Sequence, residues 1–173
     1  TPVFVEAPWN ETLEMVSDGR ADIHAGLFFT RARDNILDFT APLLDLDYYL
    51  FSHKTVLGII NPTDALPFRI GVPAGGYTEG YTKEQLPGAS LVTYPDYPRL
   101  FQAADRGEIR VFVAPWLNLQ YHLHQQGTEN EYRYTRTTPF YNKTYRGAVR
   151  KGNQELAELV NRGMALISEE ERA

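Results

Sequence analysis

The chain has 173 residues, 43% of them apolar and 23% charged, with no cysteine. This is the composition of an ordinary globular domain or two small lobes, large enough to bury a core without disulfides. Seventeen basic against 22 acidic residues give a formal charge of −5, and the basic residues are scattered. That argues against a nucleic-acid partner, and the lack of cysteine removes thiolate catalysis, thiolate zinc and iron–sulfur clusters. No apolar run approaches the roughly 20 residues that span a bilayer, and residues 1–25 carry no signal-peptide pattern. Because Val3-Phe4-Val5 reads as a strand at once, a cut piece of a longer protein is expected.

Next, Trp9, Leu13 and Val16 follow at helical spacing and Gly19 stops the helix. Residues 21–27 alternate as a second strand, with Ala21, Ile23, Ala25 and Leu27 on one face, and empty into a loop at Phe28, Phe29 and Thr30. Strand-like text runs from Leu37 to Ser52, and the turn-rich stretch from Lys54 to Pro67 is read as a lobe boundary. Phe68 to Val72, the Gly75-Gly76 turn and a helix from Thr78 to Leu86 open a strand–turn–helix unit. A strand at Leu91 to Tyr94 precedes a helix capped by Asp96, carrying Leu100, Phe101 and Ala104 on one face and stopped by Gly107. There follow a strand at Arg110 to Ala114, a helix from Leu117 to Gln126 and a strand at Tyr132 to Thr135. Pro139 to Val149 reads as a crossing segment, strand-like from Tyr145. The last helix carries Leu156, Leu159, Val160, Gly163, Met164 and Ile167 as one apolar stripe that must pack against a lobe. Alternating strands and helices predict an α/β fold with largely parallel sheets.

Gly19-Arg20-Ala21-Asp22-Ile23, then Gly26, Thr30-Arg31-Ala32-Arg33 and Leu37-Asp38-Phe39-Thr40-Ala41-Pro42, together resemble the first-lobe signature of the bacterial extracellular solute-binding proteins of family 3. The resemblance implies a two-lobed clamshell of the type II periplasmic-binding-protein class. One lobe would be formed by residues 1–52 and 142–173, lacking the family's first strand and helix, and the other by residues 53–141. It also implies that Arg33, in the Thr-x-x-Arg motif with Thr30, holds a ligand carboxylate. A guanidinium suits that task because its planar fork matches a carboxylate with two parallel hydrogen bonds. The competing reading is a surface arginine paired with Asp34 or Asp38.

Gly75 and Gly76 would offer backbone N–H groups to the same anion at a helix start. Tyr77 stands where many members carry a hydroxyl residue, and taken alone the double glycine is simply a turn. Pro115-Trp116 stands where amino-acid binders commonly have an aspartate for the ligand ammonium. Trp116 is read with equal weight as ligand contact or core. Aromatic candidates for a ligand-lined site are Trp9, Phe28, Tyr48, Tyr77 and Trp116. No acid, base or nucleophile set stands out, His24 reads as a satisfied core or cleft-edge histidine, and His122 and His124 cannot share a helix face, so no catalytic residue, metal or cofactor is assigned.

The ending Leu166 to Arg172 resembles the sensor branch of the family, whose members are tethered to a membrane histidine kinase or diguanylate cyclase. The resulting expectation is a periplasmic sensor domain tethered to a membrane receptor, with a dimer as one option, for a carboxylate-containing or amino-acid-like solute. The alternatives are a free binding protein of an ABC amino-acid transporter, a ligand-free interaction module and a dehydratase-like enzyme.

Overall fold

The computed structural model describes residues 2–128, 130–134 and 139–172, and its strands form one mixed sheet in the order β1-β7-β2-β5-β3-β4, with β6 paired to β2. By its contacts the chain divides into two compact units, Thr1–Asp45 with Thr144–Ala173, and Leu46–Lys143. Two long strands, β2 (Leu37–His53) and β7 (Tyr141–Arg150), begin in one unit and end in the other.

In the first unit, α1 (Trp9–Asp18) places Val16 inward with Leu13 and Trp9 beside it, and ends at Gly19, whose φ of 85° is the left-handed conformation that stops a helix without strain. It packs on β1 (Ile23–Phe28), which runs antiparallel to β7. Val16, Leu27, Leu37 and Ala148 form the buried cluster here. After β1 comes the single-turn helix α2 (Arg31–Asp34), and after β7 come α6 (Gln154–Ala165) and α7 (Glu169–Arg172).

The second unit holds the parallel part of the sheet, β4 (Ser90–Tyr94), β3 (Arg69–Pro73) and β5 (Val111–Pro115), with β2 antiparallel to β5. Every residue of β5 is buried, as its uninterrupted apolar text requires of a central strand. Helices α3 (Tyr77–Gln85), α4 (Tyr97–Asp105) and α5 (Trp116–Gln126) complete it, around a core of Phe51, Leu100, Phe101, Phe112, Leu119 and Leu123. Asp96 caps α4 as expected, accepting from the Arg99 N–H at 2.7 Å.

Four expectations are corrected. Val3, Phe4 and Val5 form no strand and are 85%, 87% and 61% exposed, because no strand among the described residues offers them a ladder. The sheet is not largely parallel: β1–β7, β2–β5 and β2–β6 are all antiparallel, since two of its strands cross between units instead of returning through a helix. In β1 Ile23 and Ala25 are exposed while His24, Leu27 and Phe28 are buried, because the register breaks between His24 and Leu27 and interrupts the alternation. The α6 stripe is covered only in part: Leu156, Val160 and Met164 are half-buried, but Leu159 is 57% exposed and Ile167 lies beyond the helix end, and the one buried residue of the helix is Ala157, off the stripe. The strand expected at Tyr132 to Thr135 is β6 (Tyr132–Tyr134), and Thr135 lies outside the described residues.

Candidate functional site

The Thr-x-x-Arg motif is a device for aiming one side chain. Thr30 is extended and its Oγ1 accepts from the Arg33 N–H at 3.2 Å, so the chain turns through one helical turn immediately after β1. That turn sends the Arg33 guanidinium back to the strand end, where Nη1 donates to the Phe28 carbonyl at 2.8 Å. Its Cζ lies over the Trp9 ring, 5.4 Å from the centroid, within the range of cation–π attraction. Burial pushes the Arg33 pKa down, meaning the charge is partly stripped of water. Neither acid proposed as its partner takes it: Lys151 binds Asp38 at 2.9 Å and Asp34 at 3.6 Å. Among the described residues no carboxylate pairs with Arg33, whose side-chain hydrogen bond goes to the Phe28 carbonyl.

The surroundings of Arg33 combine Phe28, a candidate from the sequence, with Tyr145, His24 and Thr12, which the sequence did not single out for it. Phe28 is 5% exposed and meets Tyr145 edge-on at 4.9 Å, so it is a buried wall of this region. Burial raises the Tyr145 hydroxyl pKa, and Arg33 opposes that shift. His24 is 8% exposed, with Nδ1 accepting from the Gly26 N–H at 3.2 Å and Nε2 facing Thr12 Oγ1 at 3.1 Å. Thr12 in turn donates to the Trp9 carbonyl at 2.7 Å, and the Trp9 ring stands edge-on to the imidazole at 5.3 Å. The indole therefore touches both His24 and Arg33.

Gly26 is required here by space. A Cβ on it would lie 2.6 Å from Tyr145 Cδ1 and 2.7 Å from Cε1. Gly26→Ala is therefore expected to cost about 1–3 kcal/mol by overpacking. Urea unfolding should show that cost shrinking when Tyr145→Ala is added, and an equal cost in both backgrounds would contradict the contact.

In the second unit, Gly75 takes φ 67° and Gly76 stands at the start of α3. The Gly75 N–H already donates to Glu79 Oε2 at 2.8 Å, and Glu79 also pairs with Lys83, which together with that hydrogen bond holds its carboxyl below the usual range. An acid four residues after the first glycine was the signal for this arrangement. Tyr77 stacks on Tyr81 at 5.6 Å, meets Tyr141 at 5.5 Å and carries Lys143 Nζ over its ring at 4.5 Å. Tyr48 stacks on Tyr141 at 4.4 Å, and the Tyr141 hydroxyl lies 2.7 Å from Thr78 Oγ1. Trp116 is half-buried against Phe51, Tyr49 and Tyr134, at 6.2, 6.3 and 4.7 Å, which seats it on the core of this unit. A cavity of about 310 Å³ in the same unit is lined by His53, Asp105, Arg110, Glu131 and Tyr132 among others, and includes none of Gly75, Gly76, Tyr77 or Trp116.

The fold is that of the type II periplasmic-binding-protein class, an α/β architecture shared with solved solute-binding and sensor domains. The chain belongs to the bacterial extracellular solute-binding proteins, family 3, whose profile matches residues 1–173. Among solved structures it is similar to an ancestral arginine-binding protein bound to arginine, with TM-score 0.85 and 20% identity over 98% of this chain and 76% of that one. It is similar also to the truncated, arginine-bound form of ArgBP from T. maritima, with TM-score 0.83 and 16% identity over 95% and 76%. A histidine kinase sensor domain with similarity to periplasmic binding proteins matches with TM-score 0.82 and 20% identity, over 92% of this chain and 69% of that one. No curated protein sequence matches the chain. The family is one of extracytoplasmic binding proteins, and no helix among the described residues is long and apolar enough to cross a membrane.

Proposed function

We propose that this chain is the ligand-binding part of a bacterial periplasmic sensor, and that Arg33 holds the carboxylate of an amino-acid-like solute. The observation that carries this reading is a half-buried guanidinium fixed by the Phe28 carbonyl and the Trp9 ring and left without a carboxylate partner among the described residues. A partly desolvated cation of this kind gains most from an anion supplied by a ligand. Thr30 positions it, and Trp9 and Phe28 give the surroundings their apolar character. We take the two units to be the family's two lobes, and we propose Gly75, Gly76 and Tyr77 as ligand contacts of the second unit in its own right, with Trp116 in a supporting place. In this reading Glu79 must yield the Gly75 N–H before a ligand anion can use it.

Two features favour a sensor over a free transporter component: the similarity to a histidine kinase sensor domain, and the ending that resembles the sensor branch. Within that ending Ser168 and Glu171 form a reciprocal cap, with Glu171 accepting from the Ser168 N–H at 2.9 Å and Ser168 Oγ accepting from the Glu171 N–H at 3.3 Å. The transporter reading is favoured by the arginine-bound neighbours. Deleting the gene's partners separates them: a sensor loses a transcriptional or cyclic-dinucleotide response to the solute, whereas a transporter component loses uptake.

Thermal unfolding with L-arginine, L-glutamate, succinate and the carboxylate-free amine agmatine tests the binding claim. A ligand at 100 times its Kd adds about 2.7 kcal/mol, a rise of roughly 5–10 °C for a chain of this size. A carboxylate should raise the midpoint of the wild type but not of Arg33→Ala, and agmatine should raise neither. Equal shifts in both proteins would remove Arg33 from the site, and no shift with any carboxylate would overturn the ligand class.

A further inference from the structure

We infer that the Arg33 site takes up its anion together with a proton, which His24 receives; the inference rests on the reading of Arg33 as the anion holder. The proton bookkeeping at His24 follows from its hydrogen bonds. The Gly26 N–H can only donate, so Nδ1 must be the bare nitrogen, and the single ring proton sits on Nε2 and points at Thr12 Oγ1. The Thr12 hydroxyl spends its own proton on the Trp9 carbonyl, which leaves its oxygen free to accept. In the structure as it stands the ring is therefore neutral, and each proton in the chain Gly26–His24–Thr12–Trp9 is donated once.

The groups that face the ring make the neutral state conditional. Helix α1 brings Trp9 and Thr12, neither of which titrates. Strand β7 pairs Ala148 with His24 and brings Gly147 close to the His24 carbonyl, again without charge. Helix α2 brings Arg33, the charge that His24 feels, and Tyr145 of β7 couples to Arg33 with its hydroxyl kept protonated by burial. Burial first and Arg33 second bring the His24 pKa down from 6.5 to about 4. Both groups share the Trp9 ring, so an anion seated on Arg33 cancels the one charge that opposes protonation. The proton then comes from water and adds to Nδ1. It displaces the Gly26 N–H, which lies in the β1 bulge between His24 and Leu27, where the ladder is already broken. No other bond is made or broken.

Linkage makes the effect reciprocal: if the anion raises the His24 pKa, lower pH raises anion affinity by the same free energy. Calorimetric titration of L-arginine, whose carboxylate stays ionised throughout, at pH 5 and pH 8 in two buffers of different ionisation enthalpy reads the proton directly. If the anion raises the His24 pKa by about one unit from about 4, the wild type should bind about twofold more tightly at pH 5 than at pH 8, with net uptake of about 0.4 proton there and none at pH 8. In His24→Gln the affinity should no longer differ between the two pH values and the uptake should vanish. Equal affinity and no proton exchange in the wild type, or exchange that survives in His24→Gln, would overturn the inference. A second reading needs no ligand: the His24 ring pKa, followed by NMR, should rise in Arg33→Gln. An unchanged His24 pKa there overturns the coupling whether or not anything binds, whereas L-arginine binding to Arg33→Ala as to wild type overturns only the role of Arg33.

Discussion

Phe112→Ala is expected to lower the unfolding free energy by about 3–5 kcal/mol, the range for deleting a fully buried phenylalanine. Phe112 is 0% exposed on the central strand β5, stacked with Phe51 at 5.6 Å and met edge-on by Phe101 at 5.8 Å and Tyr132 at 5.2 Å. Little can relax into the space, because the strand is held on both sides by β2 and β3. Against a total stability of about 5–15 kcal/mol for a domain, this is about a fifth of the whole at the least. Denaturant unfolding measures it, and a loss below about 1 kcal/mol would contradict the packing described for the second unit.

Acidification is expected to weaken the first unit by about 2 kcal/mol between pH 7.5 and pH 5, through His24 alone. The group titrates near 6.5 when unfolded and near 4 when folded. Below pH 6.5 the unfolded chain binds a proton that the folded chain refuses, so the contribution is complete above 6.5 and is lost as pH falls toward 4. Each pH unit within that window is worth about 1.4 kcal/mol. The carboxyls of Asp38, Glu79 and Glu131 are held below their ordinary values by Lys151, Lys83 and Lys54, with backbone N–H groups adding to the first two, so their losses fall at lower pH. Urea unfolding across pH 4.5–7.5 should show the slope in the wild type and its absence in His24→Gln. A flat wild-type profile, or the same slope in both proteins, would contradict the buried neutral histidine.

What could be read from the sequence was local. Gly19, Asp96 and Thr30 act where they stand, through a left-handed turn and two side-chain caps, and each was readable from its neighbours. The antiparallel course of β2 and β7 was not, because strand direction depends on partners about 100 residues away. The bulge in β1 was equally hidden, and with it the exposure of Ile23, whereas the buried, hydrogen-bonded His24 agrees with its reading as a satisfied histidine. For the site, the motif carried Arg33 and Thr30, but the company they keep comes from pairing: Phe28 lies opposite Tyr145 in the β1–β7 register, and α1 folds Trp9 and Thr12 back onto His24. Glu79 is the exception, a contact four residues long that the glycine pair drew attention away from.

The central claim is that Arg33 receives the ligand's carboxylate, and a crystal structure with the tightest-binding carboxylate from the thermal panel tests it most directly. The account predicts a carboxylate about 3 Å from the guanidinium, on the donors that the Phe28 carbonyl leaves unused. A bound ligand whose carboxylate lies away from Arg33, with the guanidinium still held only by Phe28 and Trp9, would contradict it.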